Sequence, residues 1–166
     1  MELNGNNNHS LEIYNMYKKR HDFIKILTIS ILLGFGSSAF AESSKEFGDF
    51  VIHYNAFRSD TLTPEIAKQY NLTRRNNRVI VNIAVLKKVL NTTGTPTAAK
   101  VTGHISNLTG QMKTIEFREI KEGTAIYYLS ESQFTEGEFL KFELKVTPEG
   151  ETEPARLKFD KKFSTY

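Results

Sequence analysis

The sequence predicts an all-β fold, namely an antiparallel β-sandwich of immunoglobulin-like or fibronectin-III-like type with about seven strands and one short helix between the first two strands. Short stretches in which apolar and polar residues alternate recur after residue 49, as in strands with one buried face. Turn sequences such as Glu122-Gly123 separate these stretches. The chain contains no cysteine, so its fold must depend on a packed core rather than on disulfides. A small barrel is the alternative architecture.

The strand pattern differs in strength along the chain. Residues 139–147 show the clearest separation of a buried face from an exposed face. Residues 79–86 are apolar on both faces, which predicts a central strand covered on both sides. The predicted strands are residues 50–57, 79–86, 99–106, 113–117, 125–129, 139–147 and 157–163.

The predicted helix begins at Thr63 and ends near Asn71. Thr63 is a residue type that accepts a hydrogen bond from a free amide at a helix start, and Pro64 fits the first helical position. Glu65 complements the helix dipole. A helix this short is marginal alone, so its apolar face must pack on a sheet.

Two further residues receive structural roles. Asn82 interrupts an apolar strand, and a buried amide without partners costs roughly 1 to 3 kcal/mol, so we expect it to bond backbone groups of the helix-bearing loop. Residues 122–129 resemble the late-strand signature of immunoglobulin domains, with Leu129 where a disulfide cysteine stands. This likeness assigns Tyr127 as a corner tyrosine that bonds backbone upstream.

Residues 1–41 have the pattern of an export signal rather than of a folded domain. A cluster of lysine and arginine precedes an uncharged apolar run at 26–33, and Ala39 and Ala41 form a cleavage site of the A-x-A type. The apolar run is shorter than the roughly 20 residues that span a bilayer. We therefore predict cleavage after Ala41 and one periplasmic domain over residues 42–166. Met16 would begin a signal peptide of ordinary length and is the alternative start.

The excursion between the first two predicted strands is the candidate binding segment, because it exceeds the usual connection length. Its arginines are predicted to bind a carboxylate or phosphate group of an envelope protein, a glycan or an anionic head group. In the structural alternative, Asp60 and Glu65 pair with some of them and water solvates the rest. The arginines are Arg58, Arg74, Arg75 and Arg78.

Composition argues against other function classes. A formal net charge of +3 is too balanced to predict a nucleic-acid or membrane-surface partner. His53 and His104, the histidines after residue 41, lie on separate predicted strands, and no catalytic or metal-binding motif is present. We expect a non-catalytic binding module without a cofactor. The alternative is a periplasmic chaperone or an assembly subunit that recruits partners by strand addition; a hydrolase or a metal-binding protein is less favoured.

Three blocks carry a resemblance to a known family: residues 54–57 (Y-N-A-F), residues 62–67 (L-T-P-E-I-A) and residues 81–86 (V-N-I-A-V-L). With Tyr70, Arg74 and Arg78, they resemble a family of small periplasmic Gram-negative proteins, domain of unknown function 4426. The resemblance implies a periplasmic β-sandwich, and it implies no activity, cofactor or catalytic residue.

Overall fold

The structure, a computed structural model, describes residues 43–165. The predicted signal peptide, its cleavage site at Ala39 and Ala41, the alternative start at Met16 and the domain boundary after residue 41 lie outside the described residues. Within residues 43–165, no helix has the length and apolarity needed to cross a membrane.

The described residues form ten strands, one α-helix and one 3-10 turn at Ser59–Thr61. The helix α1 is Pro64–Gln69. The strands are β1 Ser43–Phe47, β2 Phe50–Arg58, β3 Arg78–Lys87, β4 Thr95–Pro96, β5 Ala99–Ser106, β6 Met112–Ile115, β7 Arg118–Glu122, β8 Ala125–Gln133, β9 Phe139–Pro148 and β10 Ala155–Lys162.

The strands make two antiparallel sheets. Sheet A has the order β1-β2-β3-β8-β7, with β4 paired to β3, and sheet B has the order β10-β9-β5-β6. Strands β2, β3, β8 and β7 thus take the places of immunoglobulin strands A, B, E and D, and β10, β9, β5 and β6 take those of G, F, C and C′. The prediction of an antiparallel, immunoglobulin-like sandwich is confirmed.

Alternation along each strand builds the core between the sheets. On β3, Val79, Val81, Ile83 and Val85 are at most 1% exposed, and on β9 the buried residues are Leu140, Phe142, Leu144, Val146 and Pro148. Aromatic rings from sheet B reinforce it, since the rings of Phe142 and Phe159 stack with centroids 4.7 Å apart.

The sequence predicted about seven strands, whereas the structure has ten, because short edge strands carry little apolar pattern. Strand β1 is partly or fully exposed throughout, β4 is two residues long, and β7 consists of four charged residues around a single isoleucine. Backbone pairing rather than side-chain burial defines these strands. The helix follows β2, so it lies between the first two predicted strands but the second and third observed ones.

The late-strand interpretation of residues 122–129 was wrong. These residues enter β8, which pairs with β3 and β7 in sheet A and therefore occupies the place of strand E, whereas a corner tyrosine belongs to strand F. The hydroxyl of Tyr128, the neighbour of Tyr127, accepts a hydrogen bond from the Ala99 amide at 2.7 Å and donates one to Glu119 Oε2 at 2.8 Å. A local tyrosine pair cannot reveal the sheet that its strand will join.

Helix α1 shows the end structure that its residue types favour. Thr63 Oγ1 accepts a hydrogen bond from the Ile66 amide at 3.4 Å, and Pro64 takes the first helical position. Asn71 adopts a left-handed conformation with φ of 49°, and the Leu72 amide donates to the Ala67 carbonyl at 2.7 Å. These contacts turn the chain back along sheet A.

Candidate functional site

The arginine segment, which we define as residues 58–78, lies over the outer face of sheet A. The Tyr70 hydroxyl donates to Glu122 Oε2 at 2.5 Å, and the Thr73 amide donates to Glu131 Oε2 at 3.1 Å. Arg118 Nη2 donates to the carbonyls of Tyr70 and Asn71. Glu122 and Arg118 belong to β7 and Glu131 to β8, so two strands far away in sequence hold the segment in place.

Apolar burial strengthens this contact. Ile80 and Leu129 point away from the core between the sheets, yet they are 0% and 7% exposed. Ala67 and Tyr70 of the segment are also buried, at 5% and 9% exposure. Because residues on an outer sheet face can be buried only under a cover, the segment provides that cover. Burying Ile80 alone contributes about 1.5 to 3 kcal/mol.

Ser59 fastens the two ends of the segment together. Its side chain is 0% exposed, and its hydroxyl donates to the Arg75 carbonyl and accepts from the Arg75 amide, both at 2.9 Å. The hydroxyl therefore satisfies a backbone donor and a backbone acceptor sixteen positions away. Nothing local in the sequence indicated its backbone partner.

Two of the four predicted binding arginines serve the fold. Arg58 donates from Nε to Asp60 Oδ1 at 2.9 Å, forms a second contact with Oδ2, and donates from Nη1 to the Ser164 carbonyl at 2.7 Å. The hydrogen bond from Arg58 lowers the pKa of Asp60. Arg78 Nη1 pairs with Glu131 Oε2 at 3.3 Å. These guanidinium groups are about three-quarters buried, since their side chains are 24% and 25% exposed.

The other two arginines remain available at the surface. Arg74 and Arg75 are both exposed. Arg74 donates from Nε to the Leu62 carbonyl at 2.7 Å, and within residues 43–165 its two terminal nitrogens form no hydrogen bond or ion pair. Arg75 is held through its backbone by Ser59, and within the described part of the chain no side chain pairs with its guanidinium. The structure therefore divides the predicted set of four into a structural pair and an exposed pair.

Glu131 and Arg118 are two polar residues of this region that sequence reasoning missed. Glu131 accepts from Arg78 and from the Thr73 amide, and its Oε1 lies 3.9 Å from Arg118 Nη2. Each looks like an ordinary exposed-face residue of a strand. Only the pairing of β8 with β3 and β7 places them under the segment.

Asn82 does not make the predicted bonds to the helix-bearing loop. It lies on the outer face of β3, opposite Asn55 on β2 and Leu129 on β8. Its Oδ1 is buried and has no hydrogen-bond partner in the described structure. The loop backbone is instead occupied by Ser59, Arg74 and Arg118.

The histidines lie on opposite surfaces of the sandwich. His53 is on the outer face of β2 in sheet A, and His104 is on the outer face of β5 in sheet B. Within residues 43–165, no group of three or more histidine, aspartate, glutamate or cysteine side chains is placed to hold a metal ion. The sandwich thus separates the two imidazoles that could have shared a metal ion or a reaction.

The last strand, β10, is an edge of sheet B, and lysine side chains cap one of its carbonyls and one carbonyl of β2 in sheet A. Lys161 Nζ donates to the Ala56 carbonyl of β2 at 2.8 Å, and Lys45 Nζ donates to the Arg156 carbonyl of β10 at 2.8 Å. Desolvation by burial lowers the pKa of Lys161. Carbonyls capped in this way are less available to an added strand.

Comparisons with known proteins agree with the fold. A family model described as Domain of unknown function (DUF4426) matches residues 44–165. The crystal structure of a DUF4426 family protein from Pseudomonas aeruginosa PAO1 is 34% identical, with a TM-score of 0.64, and the match covers 74% of this chain and 94% of that one. A search of the curated proteins finds no match.

Two solved structures of FetP from uropathogenic Escherichia coli strain F11 are similar in fold. FetP as isolated, expressed in the periplasm of E. coli BL21(DE3), is 10% identical with a TM-score of 0.53, covering 75% of this chain and 94% of that one. A copper-bound FetP variant is 10% identical with a TM-score of 0.52, covering 74% and 95%. At this identity the likeness concerns the fold alone.

Proposed function

Because the chain belongs to the DUF4426 family, which carries no assigned activity, we propose from its structure that it is an exported, non-catalytic binding module of the bacterial cell envelope. The module binds a carboxylate or phosphate group through Arg74 and Arg75. The signal-peptide pattern of residues 1–41 supports the periplasmic location. FetP, similar in fold, was recombinantly expressed in the periplasm of E. coli BL21(DE3).

The observation that carries this proposal is the division of the arginines. The fold uses Arg58 and Arg78 in ion pairs that are about three-quarters buried, whereas Arg74 and Arg75 are exposed and form no ion pair within the described residues. Arg75 lies on a backbone that Ser59 holds, and the Arg74 side chain is itself held at Nε by the Leu62 carbonyl. Holding the backbone reduces the entropy that is lost when an anion is bound, and a guanidinium can bind carboxylate or phosphate with two parallel hydrogen bonds.

The placement of the potential catalytic groups supports a non-catalytic role. Ser59 is fully buried and its hydroxyl is engaged with the Arg75 backbone, so it is not accessible as a nucleophile. His53 and His104 occupy opposite outer faces. A hydrolytic site would need such groups within hydrogen-bond reach of one another.

Two double variants with equal charge changes test the proposal. Arg74→Gln with Arg75→Gln removes the exposed pair, and Arg58→Gln with Arg78→Gln removes the structural pair. Binding of each purified protein to peptidoglycan sacculi, to lipopolysaccharide and to proteins of a periplasmic extract is measured together with the melting temperature.

We expect the exposed-pair variant to lose binding while its melting temperature falls less than that of the structural-pair variant, because the one hydrogen bond it removes, from Arg74 to the Leu62 carbonyl, lies at the surface. The structural-pair variant should melt lower, since Asp60 and Glu131 lose their partners. Retained binding in the exposed-pair variant, across all three probes, contradicts the proposal.

A further inference from the structure

The outer face of sheet B concentrates positive charge. The inward residues of β9 and β10 are apolar and buried, so the alternate residues of these strands face outward, as do the alternate residues of β5. All the basic side chains on this face are exposed, and the acidic ones are Glu143 and Asp160. The basic residues are Lys100, Lys141, Lys145, Arg156, Lys158 and Lys162.

Pairing within the sheet neutralises only part of this charge. Lys158 Nζ lies 2.9 Å from Glu143 Oε2, but Lys145 and Arg156 are direct cross-strand partners of like charge. On the other side of Lys145 lies Thr102, and no described ion pair involves Lys145 or Arg156. Like charges directly opposite one another are destabilising in a sheet. The repulsion between Lys145 and Arg156 lowers the stability of the fold, and a negatively charged partner bound at this face would offset it.

Apolar residues gather at one end of the same face. Met112 of β6 is 67% exposed and lies opposite Ser106, and Leu108, in the turn between β5 and β6, is 69% exposed. The half-buried Phe139 lies at this end as well, where it pairs with Lys162. Two of the four large hydrophobic residues that are exposed in the described structure thus sit beside the basic face.

The composition of the face distinguishes between partners. The centres of protein–protein interfaces are enriched in aromatic residues and depleted in lysine, whereas the middle of this face holds lysine, threonine, histidine and Glu143, which is paired with Lys158. Proteins that bind single-stranded nucleic acid present stacked aromatic platforms, and none lies on the exposed middle of the face. A flat, lysine-rich surface with apolar residues at one end matches the layered chemistry of an anionic bilayer, whose headgroups are charged and whose interior is apolar.

We propose that the outer face of sheet B docks on bilayers containing anionic phospholipid. Lys100, Lys145 and Arg156 contact headgroup phosphates, and Leu108 and Met112 enter the interface. The balanced net charge of the whole chain does not reveal this surface, because acidic residues lie elsewhere on the protein. The two outer faces of a sandwich point in opposite directions, so Arg74 and Arg75 on the sheet A side face away from the bilayer.

Vesicle binding tests the proposal. The purified protein is sedimented with vesicles of phosphatidylcholine alone and with vesicles of phosphatidylcholine and phosphatidylglycerol in equal amounts, over a series of salt concentrations. We expect binding to the anionic vesicles only, and we expect it to weaken as salt is raised, because surface charges are screened over about 8 Å at physiological ionic strength.

Charge variants locate the binding surface. A basic residue near an anionic membrane is worth about 1 kcal/mol, so Lys145→Gln with Arg156→Gln should weaken binding about 30-fold. The matched control is Lys68→Gln with Lys87→Gln, which removes the same charge from exposed positions on α1 and at the end of β3, and it should change affinity less than about 2-fold. Leu108→Ser with Met112→Ser should weaken binding without changing its salt dependence.

Several results would overturn the proposal. These are equal binding to both vesicle types, a Lys145 and Arg156 variant that binds as tightly as the unmodified protein, and a control variant that loses as much affinity. Binding to soluble heparin or single-stranded DNA without binding to vesicles would assign the face to a soluble polyanion instead. The melting temperature of every variant is also measured. Because the changed side chains are exposed, we expect it to stay the same, which excludes loss of folding as the cause of weaker binding.

Discussion

The replacement Ser59→Ala should loosen the arginine segment more than the loss of a single oxygen atom would imply. It removes two hydrogen bonds of 2.9 Å to the Arg75 backbone from a side chain that is 0% exposed. A neutral hydrogen bond contributes about 1 kcal/mol net, and the exposed position of Arg75 lets water reach its freed groups. We therefore expect a loss of about 2 kcal/mol in the free energy of unfolding.

Urea unfolding measures the global loss, and limited trypsin digestion measures the local one. Trypsin cleaves after arginine, and both Arg74 and Arg75 lie in the loop that Ser59 holds. When cleavage follows the population of the open loop, a loss of about 2 kcal/mol corresponds to a rate increase of about 30-fold. The cleavage sites are identified by mass spectrometry.

Ser132→Ala is the matched control. Ser132 is also buried, at 4% exposed, but its hydroxyl makes only a 3.5 Å contact with the neighbouring Gln133 carbonyl. We expect it to cost less than about 1 kcal/mol and to leave cleavage after Arg74 and Arg75 unchanged. If Ser59→Ala costs no more than the control and does not accelerate cleavage, the role given to Ser59 is refuted.

Three further predictions concern the sheets. Glu131→Gln should lower the free energy of unfolding in urea by about 1 to 2 kcal/mol, because Arg78 loses its largely buried partner. A change within error of zero would contradict this. Gly103→Ala should lower the free energy of unfolding by more than about 2 kcal/mol, because its Cβ would lie 2.5 Å from Leu144 Cδ2 and 2.6 Å from the Glu143 carbonyl oxygen. An unchanged melting temperature would show instead that β5 and β9 move apart easily. Burial raises the pKa of Tyr128 to about 12, whereas an unfolded tyrosine ionises near pH 10. The stabilisation from Tyr128 is therefore fully present below about pH 10 and is lost as the pH rises to about 12, and Tyr128→Phe should lessen the loss of stability over that range.

The fold class could be predicted because it depends on local pattern. Alternation on 139–147 and the doubly apolar run at 79–86 each determine which faces of a strand can meet water, and both strands lie in the interior of their sheets. Strands β1 and β7 were missed because an edge strand is held by backbone pairing, which side-chain hydrophobicity does not report. The resemblance to the DUF4426 family is confirmed by the family match over residues 44–165.

The candidate site could be predicted only as a segment, not as a set of roles. Four arginines between two strands indicated where charge accumulates, but the sequence could not separate Arg58 and Arg78 from Arg74 and Arg75. That separation depends on Asp60, Glu131 and the Ser164 carbonyl, and Glu131 and Ser164 come from β8 and the end of the chain. The prediction for Asn82 failed for the same reason. Backbone groups of the helix-bearing loop are bonded by Ser59, Arg74 and Arg118, two of which the sequence alone could not identify as their partners.

By itself, the sequence determined that this protein is a disulfide-free sandwich of antiparallel strands with a capped helix between two of them, because burial and backbone conformation follow from the order of residue types. The tertiary structure alone decided which arginines are exposed, which serine holds the loop, and how six basic residues come to share one face. The physical reason is that electrostatic and hydrogen-bond energies depend on distance in space, and the pairing of strands brings together residues that lie far apart in the chain.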